Sequence, residues 1–131
     1  MTWIDWYNSL AKPSWTPEPR TIGLIWQILY PIIAISFGYV FIRVIGKKYP
    51  ARVAWPFGLN LISNVIFTPI QFGLRNLTLA SVDIVIVWAT ILWSMAAIWK
   101  YSRIVAGAQV PYLIWVSIAM VLQLSITVMN W

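Results

Sequence analysis

The residues able to do chemistry are few and sit among apolar ones. Asn60, Asn64, Phe67 and Gln71 recur at i, i+4, i+7 and i+11, which places them on one face of a helix. Lipid is a poor partner for two Asn and a Gln, so the stripe should face a bundle interior. It either hydrogen-bonds a neighbouring helix or forms the polar edge of a ligand cavity. Asp83 is an acid inside an otherwise apolar stretch. It would be protonated, pair with Arg75 or Arg20, or serve as an anion near a helix start. Proton coupling would ask for a carboxylate nearer the membrane midplane. Trp26 and Tyr30 are four residues apart, and Trp115 lies one turn after Pro111. Trp26 and Trp115 fall at similar depths on different helices, where two indoles would clamp a flat apolar ligand. The chain has no Cys and no His. Zinc sites, disulfides, thiolate nucleophiles and imidazole acid–base pairs are therefore excluded.

These residues need elements to carry them. Of 131 residues, 61% are hydrophobic and only 9% charged, and the mean hydropathy is +0.79. A small soluble domain could not cover its surface with so few polar groups. The composition predicts an all-α, polytopic membrane bundle, a single domain over residues 1–131. Four apolar stretches, 21–42, 53–72, 79–99 and 110–131, each reach ~30 Å as helices, enough to span a bilayer. Residues 1–20 hold Asp5, Lys12, Glu18 and Arg20, with Pro13, Pro17 and Pro19, and do not read as a span. Their aromatics predict a short interfacial helix, Trp3 to Ala11, followed by a Pro-rich loop. Pro31 and Pro69 predict kinks inside spans, whereas Pro56 and Pro111 fall in first turns. Trp3, Trp99 and Trp131 read as interface anchors.

The net charge is +6. In a membrane protein this reads as loop charge, with no need for nucleic acid as a partner. Arg43, Lys47, Lys48, Arg52, Lys100 and Arg103 fall on one side; Lys12, Arg20 and Arg75 fall on the other. The bias predicts a cytoplasmic location for the first group and both termini outside. A prokaryotic cell membrane is the expected location.

The run Trp6-Tyr7-Asn8-Ser9-Leu10-Ala11-Lys12-Pro13-Ser14-Trp15-Thr16-Pro17 resembles the W-Y-x-x-L-x-K-P-x-W-x-P-P signature of the TspO/translocator proteins, also called tryptophan-rich sensory proteins or peripheral benzodiazepine receptors. Trp26-Gln27-Ile28-Leu29-Tyr30 is similar to the family's W-x-x-L-Y. Asn64, Phe67, Pro69, Phe72, Gly73, Arg75, Ala80, Val82 and Asp83 follow its central pattern, and Pro111-Tyr112-Leu113-Ile114-Trp115 with Ala119 and Leu122 its last-helix pattern.

The resemblance implies a membrane protein, often a homodimer, that binds porphyrins, sterol-like lipids and benzodiazepine-type ligands. Carried over, the pocket would involve Trp6, Trp15, Ile22, Ile25, Trp26, Asn64, Phe67, Asp83, Ile86, Trp115, Ala119 and Leu122. The residue readings add Tyr30 and Gln71. Trp26 and Trp115 match the residues that matter most in porphyrin-degrading relatives. The chain departs from the family in having four spans rather than five. Trp6-Tyr7 belong to the family's loop after its first span, so that span is the one expected to be absent, and a second subunit or lipid would close the pocket. Glu18 replaces the second Pro of the loop motif, Gln123 stands where Asn is common, and Leu79 where some relatives have Trp. After Tyr112 there is no Lys or Arg, so the sterol-type motif is missing at the C-terminus.

Three functions follow as expectations. The first is a sensor or receptor for a protoporphyrin-type tetrapyrrole, metal-free because haem would lack its usual axial ligands. No other cofactor is required. The second is light- and oxygen-dependent porphyrin breakdown, with Trp26 and Trp115 as candidate redox partners. The third is a small four-helix transporter, although the first span lacks the charge such exporters use.

Overall fold

The computed structural model describes residues 3–130. Helix α1 covers Trp3–Ser9, α2 Pro19–Ile45, α3 Ala54–Thr68, α4 Leu77–Ile98, α5 Arg103–Ala108 and α6 Val110–Met129. A 3₁₀ turn, Ala51–Val53, leads into α3, and a π turn, Pro69–Gly73, extends it. Four helical stretches are long and apolar enough to cross a membrane: Pro19–Ile45, Ala51–Gly73, Leu77–Ile98 and Arg103–Met129. They alternate in direction. The starts of α2 and α4 therefore share one end of the bundle with α1 and the end of α6. The 46–50 and 99–102 links share the other end.

Local signals explain the boundaries. Pro19 opens α2 at a position that has no amide to satisfy. Asn76 caps α4 by accepting from the Leu79 amide at 2.9 Å, and Ser102 caps α5 by accepting from the Val105 amide at 3.2 Å. That second cap starts the last span at Arg103, earlier than the 110 read from apolarity. α2 stays helical through Pro31. At Pro69 the ladder changes to π spacing, and the Leu74 amide reaches back to the Pro69 carbonyl at 2.9 Å. Arg75 then turns the chain with φ of 53°.

Large apolar side chains face outward all along the bundle, among them Ile35, Ile42, Ile62, Val65, Ile114 and Val128. Such a surface is stable against lipid and not against water. The interior is uneven. The most deeply buried groups, including Phe37, Val40, Phe57, Ile91, Ile98, Val116 and Tyr112, cluster toward the end that carries the 46–50 and 99–102 links. Phe37 meets Phe57 edge-on at 4.8 Å.

In lipid, apolar surface alone does not drive helices together, so polar contacts matter more. Asn64 Nδ2 donates to Tyr112 Oη at 2.6 Å, and Tyr112 Oη donates to Asn60 Oδ1 at 2.9 Å. Asn60 Nδ2 donates in turn to the Val87 carbonyl at 3.1 Å and to Thr90 Oγ1 at 3.0 Å. This chain joins α3, α4 and α6. α4 and α6 are tied again by Trp88 Nε1 donating to Ser117 Oγ at 3.0 Å and by Ser81 with Thr127 at 2.6 Å. α2 is held mainly at one end, where Gln109 Nε2 donates to Ser36 Oγ at 2.9 Å.

Tyr112→Phe should destabilise the bundle by roughly 1–2 kcal/mol, because it leaves Asn60 Oδ1 and Asn64 Nδ2 without their partner. A lower thermal midpoint in detergent, against an unchanged one for Tyr39→Phe at the exposed surface, is the measurement.

Candidate functional site

The lightly packed half of the bundle encloses a cavity of about 290 Å³. Each wall comes from one helix face. α2 supplies Pro19, Ile22, Gly23, Trp26 and Tyr30, at i, i+3, i+4, i+7 and i+11. α3 and its π turn supply Asn64, Phe67, Thr68, Gln71 and Phe72. α6 supplies Trp115, Val116, Ala119, Leu122, Gln123 and Ile126, and α4 closes the back with Ile84 and Val87. Tyr7 of α1 covers the end. Apart from three amides, a threonine and the aromatic heteroatoms, the lining is apolar.

Aromatic rings give the site its shape. Trp26 stacks on Tyr30 with centroids 5.3 Å apart and planes at 28°, and it meets Tyr112 edge-on at 6.2 Å. Trp115 is 6% exposed, and its Nε1 has no hydrogen-bond partner. Gln71 Oε1 is likewise buried and unpartnered. Both atoms are closed off from the void, so a ligand reaches them only if the walls move.

The covering segment is tied down from several directions. Asn130 accepts from the Ala11 amide at 3.0 Å and donates to the Ala11 carbonyl at 2.8 Å, joining the Pro-rich loop to the end of α6. Lys12 Nζ donates to the carbonyls of Tyr7 at 2.7 Å and Leu10 at 3.1 Å. Trp6 packs edge-on against Phe72 at 6.2 Å, and the Arg75 guanidinium lies 5.8 Å from the Trp6 ring centroid. Burial raises the Tyr7 phenol above its ordinary pKa, so it remains a neutral hydrogen-bonding group at physiological pH.

The residues singled out from the sequence divide into two sets. Ile22, Trp26, Tyr30, Asn64, Phe67, Gln71, Trp115, Ala119 and Leu122 share the cavity wall. Trp6 stands behind Phe72, and Ile25 packs on the core. Trp15 is exposed on the loop, and Ile86 faces outward from α4. Asp83 is buried beside the wall without lining it, and its Oδ2 has no hydrogen-bond partner. Trp3 keeps its backbone place in α1, its side chain and Trp131 lying outside what is described. The two readings of the Asn stripe separate by residue. Asn60 is spent on holding helices, Gln71 belongs to the cavity, and Asn64 serves both.

Other wall residues lacked any chemical flag. Ile126 and Gly23 follow from extending the helical period of Trp115-Ala119-Leu122 and of Ile22-Trp26. Tyr7 and Phe72 depend on a tertiary contact, the fold-back of α1 onto the π turn.

An α-helical membrane protein with an aromatic intramembrane cavity under an N-terminal cover is thus defined by geometry. The chain belongs to the TspO/MBR family, whose sequence model matches residues 1–129. It is 38% identical over 125 residues to the tryptophan-rich protein TspO of Bacillus cereus, covering 95% of this chain and 80% of that one. It is 36% identical over 127 residues to the uncharacterized membrane protein YtaB of Bacillus subtilis, covering 96% and 81%. The human translocator protein is 31% identical over 118 residues, covering 87% of this chain and 68% of its own length.

Ala119→Phe should fill the cavity and weaken binding of an apolar fluorescent probe by about tenfold, whereas Ile86→Phe on the outer face of α4 should leave it unchanged. Probe titrations of the two variants, compared at matched thermal midpoints, check the assignment of the wall.

Proposed function

We propose that this protein binds a flat apolar tetrapyrrole of the protoporphyrin type in the cavity between α2, α3 and α6. The observation that carries the reading is the convergence of Trp26 and Trp115, from two helices, on one apolar space. Indole faces stack on a conjugated macrocycle and gain from area burial. Asn64 and Gln123 supply polar atoms for the edge of the ring, and Gln71 Oε1 joins them once the wall moves. The lining contains no thiolate or imidazole, so a metal-free ring suits it.

The cavity is at the small end of the ~300–1,000 Å³ usual for ligand sites. A macrocycle therefore enters with α2 displaced or with part of its rim outside. α2 is suited to such movement, because its hydrogen bond to Gln109 and its Phe37 contacts lie in its second half, away from the cavity. The reading takes the protein to act as a homodimer, as the family resemblance implies. It also takes the basic end as cytoplasmic in a prokaryotic membrane, which the charge bias and the bacterial relatives support.

Adding protoporphyrin IX to the purified chain should quench Trp fluorescence saturably, with micromolar or tighter affinity. Trp26→Phe with Trp115→Phe should weaken it by at least about tenfold. Unsaturable quenching, or equal affinity in the double variant, would remove the assignment. Illuminating the complex and following the Soret band separates a receptor from a degrading enzyme: only the latter bleaches the band faster than free porphyrin.

Because the native chain has no Cys, orientation is directly measurable. A single cysteine at Ser102 should resist a membrane-impermeant maleimide applied to whole cells, while one at Ser14 should react.

A further inference from the structure

The end of the bundle opposite the cavity gathers Arg43, Lys47, Lys48, Arg52, Lys100 and Arg103 around the end of α2, the turn into α3 and the α4–α5 link. None of the three acids is there: Asp5 and Glu18 precede α2, and Asp83 lies in the first half of α4. Two guanidinium groups lie against aromatic rings. Arg43 sits 5.1 Å from the Tyr39 ring centroid, and Arg103 sits 5.0 Å from that of Trp99. Lys47 and Lys48 instead line a recess with Val44, Tyr49, Pro50 and Tyr101. The Tyr49 and Tyr101 rings pack together at 5.1 Å.

The backbone at this recess is unusual. The Lys48 amide donates to the Arg43 carbonyl at 2.8 Å and the Lys47 amide to the Val44 carbonyl at 3.0 Å, which closes the end of α2. That closure needs a left-handed residue, and Lys47 takes it with φ of 58°. Glycine is the least strained residue there, and Gly46 stands one place too early to serve. The carbonyls at the end of α2 are also occupied by these bonds, which lessens their repulsion of an anion. Trp55 and Trp99, 65% and 54% exposed, lie at the same end of the bundle and set it at the level of lipid headgroups.

We propose that this recess holds the phosphate of an anionic phospholipid from the adjoining leaflet. The two lysines supply the charge, the Tyr101 hydroxyl can donate to a phosphate oxygen while that of Tyr49 is engaged by Tyr39, and Val44 takes the start of the glycerol backbone. The site is separate from the tetrapyrrole cavity and does not rest on it.

Native mass spectrometry of the full chain in detergent, with equimolar phosphatidylglycerol and phosphatidylcholine, tests the assignment. The native chain should retain phosphatidylglycerol about tenfold more, as two lysines near a headgroup imply. Lys47→Gln with Lys48→Gln should abolish that preference, while Arg20→Gln at the opposite end should keep it. Lys47→Gly should weaken the preference several-fold and hold or raise the thermal midpoint, since glycine suits the left-handed turn. Equal retention of the two lipids by the native chain overturns the proposal. So does an undiminished preference in the lysine variants, or a loss as large with Arg20→Gln, which would point to bulk charge.

Discussion

The bundle depends on one run of hydrogen bonds, from Asn64 through Tyr112 to Asn60 and on to Val87 and Thr90. Each polar group buried in lipid must find a partner inside the protein, and here three helices meet that demand together. The donors point in a consistent direction, so each bond polarises the next. Asn60 is wholly buried, and both its amide atoms are engaged at fixed positions on two other helices. This fixes the rotation of α3 against α4 and α6 more tightly than apolar packing alone, because rotating α3 would break several bonds at once. With α3, α4 and α6 locked, their remaining faces are fixed too, and the cavity walls on α3 and α6 follow from that lock.

The same constraint sets where the molecule can be open. α4 and α6 are joined along their length by Trp88–Ser117 and Ser81–Thr127. The hydrogen bond of α2 to another helix lies at Ser36, close to the Phe37–Phe57 contact. Its first turns pack Ile25 and Trp26 on the core and present Ile22 and Gly23 to the cavity. Access to the site then depends on α2, whose hydrogen bond to another helix lies at Ser36, and on the α1 cover. The Asn130–Ala11 bonds tie that cover to the far end of the described chain, which couples the terminal turn of α6 to the mouth of the cavity.

The four spanning helices could be read from apolar run length, because lipid imposes a length that composition must meet. Helical period marked the α3 face through Asn64, Phe67 and Gln71, whereas Ile22, Ala119 and Leu122 on α2 and α6 came from the family resemblance. What the period could not supply was the division of labour within a face. Asn60 and Gln71 share one stripe, yet the first is locked to Val87 and Thr90 on α4, whereas the second sits in the π turn and lines the void. Asp83 shows the other limit. It lies nearly two turns inside α4, and its place beside the wall depends on how α4 rotates, which the bonds of Thr90 to Asn60 and of Ser81 to Thr127 set. Trp15 matched a motif and Ile86 was carried over as a pocket position, and yet both are exposed outside the cavity lining, since a resemblance fixes sequence spacing and not the direction of each side chain.

The two ends of the bundle are consequently built on opposite principles. At the basic end, deep packing and a closed helix terminus hold charges in fixed positions at the membrane surface. Lys47 keeps a left-handed conformation that isolated lysine disfavours, and it does so because the Arg43 and Val44 carbonyls must be satisfied. Beside the cavity, Trp115 Nε1 and Gln71 Oε1 are buried and unpartnered, as Ser94 Oγ and Gln109 Oε1 are in the packed half. Unpaired polar atoms raise the energy of the empty state, and dense packing elsewhere offsets that. A ligand whose entry shifts the wall enough to pair them lowers the energy of the open half without disturbing the locked half. Binding and anchoring can then operate at separate ends of one small bundle, with α2 as the element that spans both.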